Sequence, residues 1–171
     1  MIVLGLDPGT EESALVSFNG TSVGQHRILP NEEVLIELVG DYGDKAYWDQ
    51  YVLATEYMES SLGMAVGKET CRTIFWNGRF VQAWSPRKWA EVTRYNVKRH
   101  ICGQVRATDA NIRQALIDRF GGEKAIGKKA TPGPLFGIKS HEWAALAVAM
   151  TYYDLEGHRP AEVRPGVRAE F

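Results

Sequence analysis

The chain has 171 residues, of which 44% are hydrophobic, and this predicts one compact domain with its own core rather than two. No run of about 20 apolar residues occurs, and no charged segment precedes the apolar start Met1-Ile2-Val3, so we expect neither a membrane span nor a signal peptide. Cys71 and Cys102 are too few and too isolated for a disulfide framework or a zinc site. These features predict a soluble protein of the reducing cytoplasm.

The net charge of −1 conceals a separation of charge along the chain. Residues 1–67 contain 2 basic and 11 acidic side chains, residues 68–129 contain 14 and 5, and residues 130–171 contain 4 and 5. The basic residues of the middle part, which alternate with tryptophan and tyrosine, are Lys68, Arg72, Arg79, Arg87, Lys88, Arg94, Lys98, Arg99 and Arg106. This pattern is typical of nucleic-acid binding, although basic residues also cover ordinary solvated helices.

The first predicted elements are three strands and a helix. The apolar run Ile2–Asp7 has the length of a buried strand and ends on an acid. Residues 13–18 and 23–28 are two further strand candidates, and Asn19-Gly20 between them is a strong hairpin signal. Asn31 is the predicted N-cap of the following helix.

The middle of the chain predicts a second buried strand, a helix and a shorter strand. Residues 51–56 form an apolar run that ends on Glu56. Residues 64–77 predict a helix, and residues 80–84 predict the last strand. The sheet should therefore have about five strands.

Two more helices are predicted before a long loop. Ser85-Pro86 is a typical helix start, with proline in the first turn, and Thr108-Asp109 starts another helix. Residues 121–139 are rich in Gly, Pro and Lys, which indicates a long mobile loop.

The predicted order of elements ends with a helix and a tail. The helix starts after Ser140 and contains many alanines, which suit close packing on a sheet. Residues 155–171 are charged and interrupted by proline, which is typical of a tail with little fold of its own. We therefore assign residues 1–154 to the domain.

Three antiparallel strands, a crossover helix, a parallel strand and a closing Ala-rich helix are the arrangement of the RNase H-like superfamily. The fold predicted from this resemblance is α/β, with a five-stranded mixed sheet flanked by helices. Its first three strands should be antiparallel and the following ones parallel.

Several motifs, in the same order, resemble RuvC-type Holliday-junction resolvases of that superfamily. Gly5-Leu6-Asp7-Pro8-Gly9-Thr10 resembles the opening of the family, and Glu56 ends the strand on which the family keeps its catalytic Glu. Ser85-Pro86-Arg87-Lys88-Trp89 is similar to a proline-containing helix start, and residues 110–116 fit the helix that follows. His141-Glu142-Trp143-Ala144-Ala145-Leu146-Ala147 resembles the last motif. The residues within these motifs are closer to those of phage-encoded members of the family than to those of cellular ones.

The resemblance implies a nuclease that resolves four-way DNA junctions. Asp7, Glu56 and His141 match catalytic, metal-binding positions of the family, and the implied chemistry is phosphodiester hydrolysis with two cations, Mg²⁺ or Mn²⁺. Asp7 would bridge the two cations. Without the other motifs, Asp7 would be interpreted as a turn cap, Glu56 as a solvated strand end and His141 as a surface histidine.

Ala144 departs from the family pattern, which has Asp three residues after the position of His141. Alanine cannot bind a metal. Glu142 is one residue after His141 and therefore lies about 100° away from it around the helix, so it is a poor substitute. We therefore expect impaired catalysis. Either the chain is a natural pseudo-nuclease, or the alanine is a substitution made to trap a substrate or stabilise a preparation. The retention of Asp7, Glu56 and His141 favours the second explanation.

The remaining candidate residues would bind DNA rather than react. They lie on the helix after the predicted cleft and on the basic loop, where they could contact a phosphate backbone: Lys68, Arg72, Arg79, Lys128 and Lys129. A four-way junction has two-fold symmetry, so the resemblance also implies a homodimer. The helix around residues 64–75 is a candidate interface, although Ile74 and Phe75 fit the core equally well.

Other classes fit less well. An ATPase of the actin and sugar-kinase superfamily shares the Gly-x-Asp-x-Gly-Thr pattern but needs two such domains, for which 171 residues leave no room. An RNase H or a DnaQ-like exonuclease fits the His-x-x-Ala-Ala-Leu-Ala helix and the basic middle less well than a resolvase does. A non-catalytic protein that binds branched DNA on the same fold stays open because of Ala144.

Overall fold

The computed structural model describes residues 1–40, 48–58 and 65–156. The main sheet contains β1 (Ile2–Asp7), β2 (Glu12–Phe18), β3 (Val23–Pro30), β4 (Tyr51–Tyr57) and β5 (Trp89–Thr93). The helices that we number are α1 (Asn31–Val39), α2 (Lys68–Trp84), α3 (Arg94–Cys102), α4 (Asp109–Arg119) and α5 (Glu142–Glu156). A 3₁₀ turn (Glu123–Ala125) precedes a small hairpin of β6 (Gly127–Lys128) and β7 (Thr131–Pro132). In these ranges no helix has the length and apolarity needed to cross a membrane.

The sheet has the strand order β3-β2-β1-β4-β5, with β1 at its centre. The pairs β1–β2 and β2–β3 are antiparallel, whereas β4 runs parallel to β1 and β5 runs parallel to β4. The predicted sheet of three antiparallel strands followed by parallel ones is confirmed. Because Leu6 is paired with Thr55 in the parallel register, Asp7 and Glu56 come next to each other at one edge of the sheet.

Helices cover both faces of the sheet, and each face has its own apolar core. Val3 belongs to the cluster formed with α3, α4 and α5, whereas Leu6 belongs to the cluster formed with α1 and α2. This division follows from the alternation of side chains along a strand. The continuous apolar run of β1 is therefore explained by burial on both faces.

Helix α5 crosses β1 closely at Gly5. A Cβ atom placed on Gly5 would lie 2.1 Å from the carbonyl oxygen of Ala145 and 2.8 Å from the Cβ of Ala149. The missing side chain and the small residues of α5 thus allow the helix backbone to lie against the strand. The start of α5 is thereby brought to the end of β1.

The predicted strand at residues 80–84 is wrong, because these residues form the last part of α2. Trp76, Phe80 and Trp84 are buried at intervals of four residues, which is the spacing of one helical face. Phe80 and Trp84 also fit the two-residue alternation of a strand, so the pattern of this short segment is ambiguous.

The fifth strand lies where the sequence predicts a helix. Ser85-Pro86 does not begin a helix; it precedes β5, which pairs with β4 from Leu53–Trp89 to Tyr57–Thr93. The helix begins instead at Arg94, where the Thr93 side chain accepts a hydrogen bond from the Asn96 N–H. Tertiary pairing with a buried strand outweighs the local helix-start signal.

Asn31 is not the N-cap of α1. The cap position is Pro30, and the Asn31 side chain is fully buried, accepting a hydrogen bond from Ser13 Oγ and donating one to the carbonyl oxygen of Gly9. Its polar side chain therefore serves a tertiary contact rather than the helix terminus.

The later segments also differ in part from their predictions. Residues 121–139 are predicted as a loop, but they contain the 3₁₀ turn and the β6–β7 hairpin, and Leu135 and Ile138 are buried. The predicted helix start at Thr108-Asp109 is confirmed, with a reciprocal capping box between Thr108 and Asn111. Helix α5 extends to Glu156, and residues 157–171 of the predicted tail lie outside the described residues, as does Met64.

Candidate active site

Two carboxylates meet at the edge of the sheet where β1 and β4 end. Asp7 is the last residue of β1, and its side chain is 15% exposed. Glu56 lies on the adjacent strand and is 5% exposed as a residue. The two side chains interact electrostatically, since the charge of Glu56 contributes to the raised pKa of Asp7. The pair predicted from the two apolar runs is therefore brought together.

His141 joins Asp7 from the start of α5. Its Nδ1 lies 3.0 Å from Asp7 Oδ2, and its side chain is 66% exposed. Its carbonyl oxygen accepts a hydrogen bond from the Ala145 N–H, so the residue is tied to the first turn of the helix. The structure thus places all three predicted acid and histidine positions at one site.

Arg94 and Asp109 complete the site, although the sequence does not assign them to it. Arg94 Nη1 lies 3.2 Å and 3.4 Å from the two carboxylate oxygens of Glu56, and its Nη2 donates to Asp109 Oδ1. Arg94 is the first residue of α3, and Asp109 is the first residue of α4. The sequence signals for these two helix starts are the N-cap residues Thr93 and Thr108. Of these, only Thr108 is recognisable as an N-cap without the structure.

Burial changes the acidity of both carboxylates. The pKa of Asp7 is raised from 3.8 to about 6, chiefly by burial and further by the nearby charge of Glu56, while His141 opposes the change. Burial also raises the pKa of Glu56, and the charge of Arg94 opposes this change without cancelling it. Both groups therefore lie in surroundings that favour the approach of a positive charge.

Side-chain hydrogen bonds hold the loop after β1 in place. Ser13 Oγ accepts from the Gly9 N–H and donates to Asn31 Oδ1, while Asn31 Nδ2 donates to the carbonyl oxygen of Gly9. Arg72 Nε donates to the carbonyl oxygen of Thr10 in the same loop. These contacts fix the backbone that follows Asp7.

Glu142 follows His141 in sequence, but its carboxylate makes its contacts outside the pair of Asp7 and Glu56. It is 2% exposed, lies 3.0 Å from His26 Nδ1 and accepts a hydrogen bond of 2.8 Å from the Lys139 N–H. These contacts direct its carboxylate toward β3 and the loop that precedes α5, and therefore not toward Asp7. Glu142 therefore does not replace the acid that is missing at Ala144.

Ala144 is partly exposed on the first turn of α5 and contributes only a methyl group. Among the described residues, no three His, Cys, Asp or Glu side chains are arranged to enclose a metal ion. Asp7 and Glu56 supply the oxygen ligands that Mg²⁺ and Mn²⁺ prefer. These two carboxylates could hold one divalent cation, and Ala144 provides no ligand for a second.

The predicted DNA-binding residues are distributed over three places. Arg72 lies next to the loop after β1, as its contact with Thr10 shows, and Lys68 is exposed at the start of the same helix. Arg79 packs instead over the ring of Trp76, with 4.4 Å to its centroid. Lys128 and Lys129 are exposed at the β6–β7 hairpin.

Comparison with known proteins gives a structural likeness only. Neither a family model nor a curated protein matches the sequence. The solved structure of Thermus thermophilus RuvC matches with a TM-score of 0.64 and 16% identity over 92% of this chain and 97% of that chain. T. thermophilus RuvC in complex with a Holliday junction substrate matches with a TM-score of 0.57 and 15% identity over 92% and 96%. The fold is therefore that of RuvC, and the predicted RNase H-like fold is confirmed.

Proposed function

We propose that this chain binds four-way DNA junctions through a site of the structure-selective endonuclease type, and that Ala144 impairs cleavage. The observation that carries the proposal is the meeting of Asp7, Glu56 and His141 at one edge of a RuvC-like sheet. The phage type and the intracellular location that the sequence suggests are part of the same proposal.

The site residues suit metal-assisted hydrolysis of a phosphodiester. Asp7 and Glu56 would hold Mg²⁺ or Mn²⁺, and a cation bound there would stabilise negative charge on the phosphate oxygens. His141 orients the Asp7 carboxylate through its 3.0 Å contact, and its exposed ring can exchange a proton with a substrate oxygen or water. Ala144 supplies neither a ligand nor an orienting group.

The charge distribution supports a DNA partner. The basic part of the sequence, residues 68–129, supplies α2, β5, α3, α4 and the start of the β6–β7 hairpin. Arg72 beside the loop after Asp7 and the exposed Lys128 and Lys129 could neutralise backbone phosphates of a bound strand. T. thermophilus RuvC has been solved with a Holliday junction substrate, which makes branched DNA the first substrate to test.

A homodimer is part of the proposal, because a junction presents two equivalent strands for cleavage. The exposed apolar side chains of α1 and α2 offer a surface for this contact: Ile36, Val39, Ile74 and Phe75. Ile74 and Phe75, which the sequence leaves as either core or interface, are exposed. They are therefore available to a second copy of the chain.

The test is a binding and cleavage assay on a synthetic four-way junction, with a linear duplex of the same sequence as competitor. The unchanged chain, Ala144→Asp and Ala144→Asn are compared in Mg²⁺ and in Mn²⁺; the Asn variant has nearly the same size as the Asp variant but no charge. We expect all three to prefer the junction, and only Ala144→Asp to make paired, symmetric nicks. Equal binding to junction and duplex would overturn the proposal.

Ala144 also supports a second candidate, a non-catalytic protein that binds branched DNA on the same fold. In that case all three chains would bind the junction tightly and none would cleave it. The Ala144→Asp variant therefore separates the two functions, because it restores the missing carboxylate without altering the basic surface.

A further inference from the structure

We infer that Arg94 takes the place of one of the two cations of a two-metal site, so that the chain with Ala144 holds a single divalent cation. This inference rests on the proposed function and concerns the same site. It differs from the pair of cations expected from the sequence. It assigns to Arg94 a role that goes beyond contact with DNA.

The position of Arg94 is that of a cation between carboxylates. Its guanidinium faces both oxygens of Glu56 through Nη1 and reaches Asp109 through Nη2. Its charge also acts on Asp7. A guanidinium is planar and remains charged at any physiological pH, so this positive charge is permanent.

The charges at the site match one divalent cation. Asp7, Glu56 and Asp109 carry three negative charges when ionised, and Arg94 carries one positive charge. The remaining two negative charges equal the charge of one Mg²⁺ or Mn²⁺, and the charge of Lys98, which also acts on Glu56, makes a second cation less favourable still. A second divalent cation would give the site an excess of positive charge in a partly buried place, which is unfavourable.

Ala144 is consistent with this count. A carboxylate at position 144 would add a negative charge and an oxygen ligand, and both are needed to hold a second cation. With alanine there, no such charge or ligand is present, and Arg94 already offsets one of the two negative charges of Glu56 and Asp109. Arg94 and the absence of a carboxylate at position 144 therefore act in the same direction, and each limits the site to one cation.

The experiment is a titration of the full-length chain with Mn²⁺, without DNA, followed by calorimetry and by electron paramagnetic resonance. The native chain should bind one Mn²⁺. Arg94→Gln should bind its first Mn²⁺ about tenfold more tightly than the unchanged chain does, because a unit positive charge near the site is removed. It should also gain a second Mn²⁺ site, which is weaker than its first. Arg94→Lys, which keeps the charge, should still bind one.

Two further variants control this result. Asp109→Asn removes the negative charge that Arg94 contacts. It should weaken Mn²⁺ binding, whereas Arg94→Gln should strengthen it. Arg99→Gln makes the same change as Arg94→Gln on the same helix, but Arg99 contacts Tyr95 rather than the site, so Mn²⁺ binding should be unchanged. Thermal unfolding of each variant verifies that it is folded.

Two bound Mn²⁺ ions in the native chain, or weaker binding by a folded Arg94→Gln variant, would overturn the inference. These readouts do not depend on DNA. If the chain prefers a junction but binds two Mn²⁺ ions, the inference fails and the proposed function stands. If it binds one Mn²⁺ as expected but shows no preference for a junction, the proposed function fails instead.

Discussion

Asp7 is held where its charged form is disfavoured. Its pKa is about 6 in the folded protein, against 3.8 for an ordinary aspartate, chiefly because of burial. Between these two values the folded protein keeps a proton that the unfolded chain releases, so the contribution of this group to stability is greatest below pH 3.8 and is lost as the pH rises to about 6. At neutral pH the ionised Asp7 carboxylate therefore lowers the free energy of unfolding of the protein, a cost that is common at functional sites.

The raised pKa of Asp7 predicts the effect of Asp7→Asn on stability. At pH 8 and without divalent cations, the variant should be more stable than the native chain by about 1–3 kcal/mol, because a tenfold change in an acid dissociation constant corresponds to about 1.4 kcal/mol. At pH 4 the gain should disappear. Urea unfolding at the two pH values measures the difference.

Asp118→Asn is the control for this experiment, since Asp118 is exposed on α4 and makes its contact with Gln114 in the same helix. Its stability should change little at either pH. An Asp7→Asn variant that is destabilised at pH 8 would show that the contact with His141 outweighs the cost of burying the charge.

At the scale of the elements, the approach of α5 to β1 determines how the site is assembled. Gly5→Ala should destabilise the protein by about 2 kcal/mol or more, because the added methyl group would meet the helix backbone at Ala145. Gly78→Ala, on the exposed face of α2 with open space around it, should stabilise the monomer by about 0.5–1 kcal/mol. Gly78 also lines a groove between α1 and α2, so both variants are compared at a concentration at which the chain is monomeric. Denaturant midpoints for the two variants measure both effects.

The two glycine variants make the same chemical change, so the difference between them isolates the packing at Gly5. Similar midpoints for both would mean that α5 can move away from β1 at little cost. In that case the contact of His141 with Asp7 would not depend on the close approach of the helix.

The parts of the site that can be predicted lie on strongly patterned segments. Asp7 and Glu56 each end an apolar run, and a parallel register places such ends at one edge of a sheet, so their meeting follows from the sequence. His141 is found through its motif at the start of an Ala-rich helix. All three are expected together, and the structure brings them together.

The parts that cannot be predicted depend on tertiary contacts. Arg94 and Asp109 are 15 residues apart and each begins a helix, and only the packing of α3 and α4 brings them to Glu56. The sequence places the fifth strand at residues 80–84 because Phe80 and Trp84 fit both the helical and the strand period. The partner strand β4, distant in sequence, selects residues 89–93 instead.

At the scale of the whole molecule, the exposed apolar surface of α1 and α2 is the feature to be explained. Ile36 is 73% exposed and Phe75 is 61% exposed, and a groove between the helices is lined by Leu35, Val39 and Phe75. A contiguous apolar surface of this kind is typical of a protein interface. We expect the native chain to be a dimer in solution.

Phe75→Asp should convert this dimer into a folded monomer, because it places a charge in the centre of the proposed contact. Val105→Asp makes the same kind of change at an exposed apolar residue after α3, away from the groove, and should leave the dimer intact. Sedimentation over a range of protein concentrations gives the mass of each species. A native chain that stays monomeric throughout would contradict the interface.

The packing of α5 on β1 also has a consequence for synthesis on the ribosome. Of the five strands of the sheet, the central strand β1 is made first, but the helix that covers one of its faces, at residues 142–156, is made after all the other described helices. Long-range contacts of this kind form late, and the apolar surface stays uncovered until then. His141 reaches Asp7 at the same step, so the nascent chain would acquire its complete acid and histidine set only when the fold itself is closed.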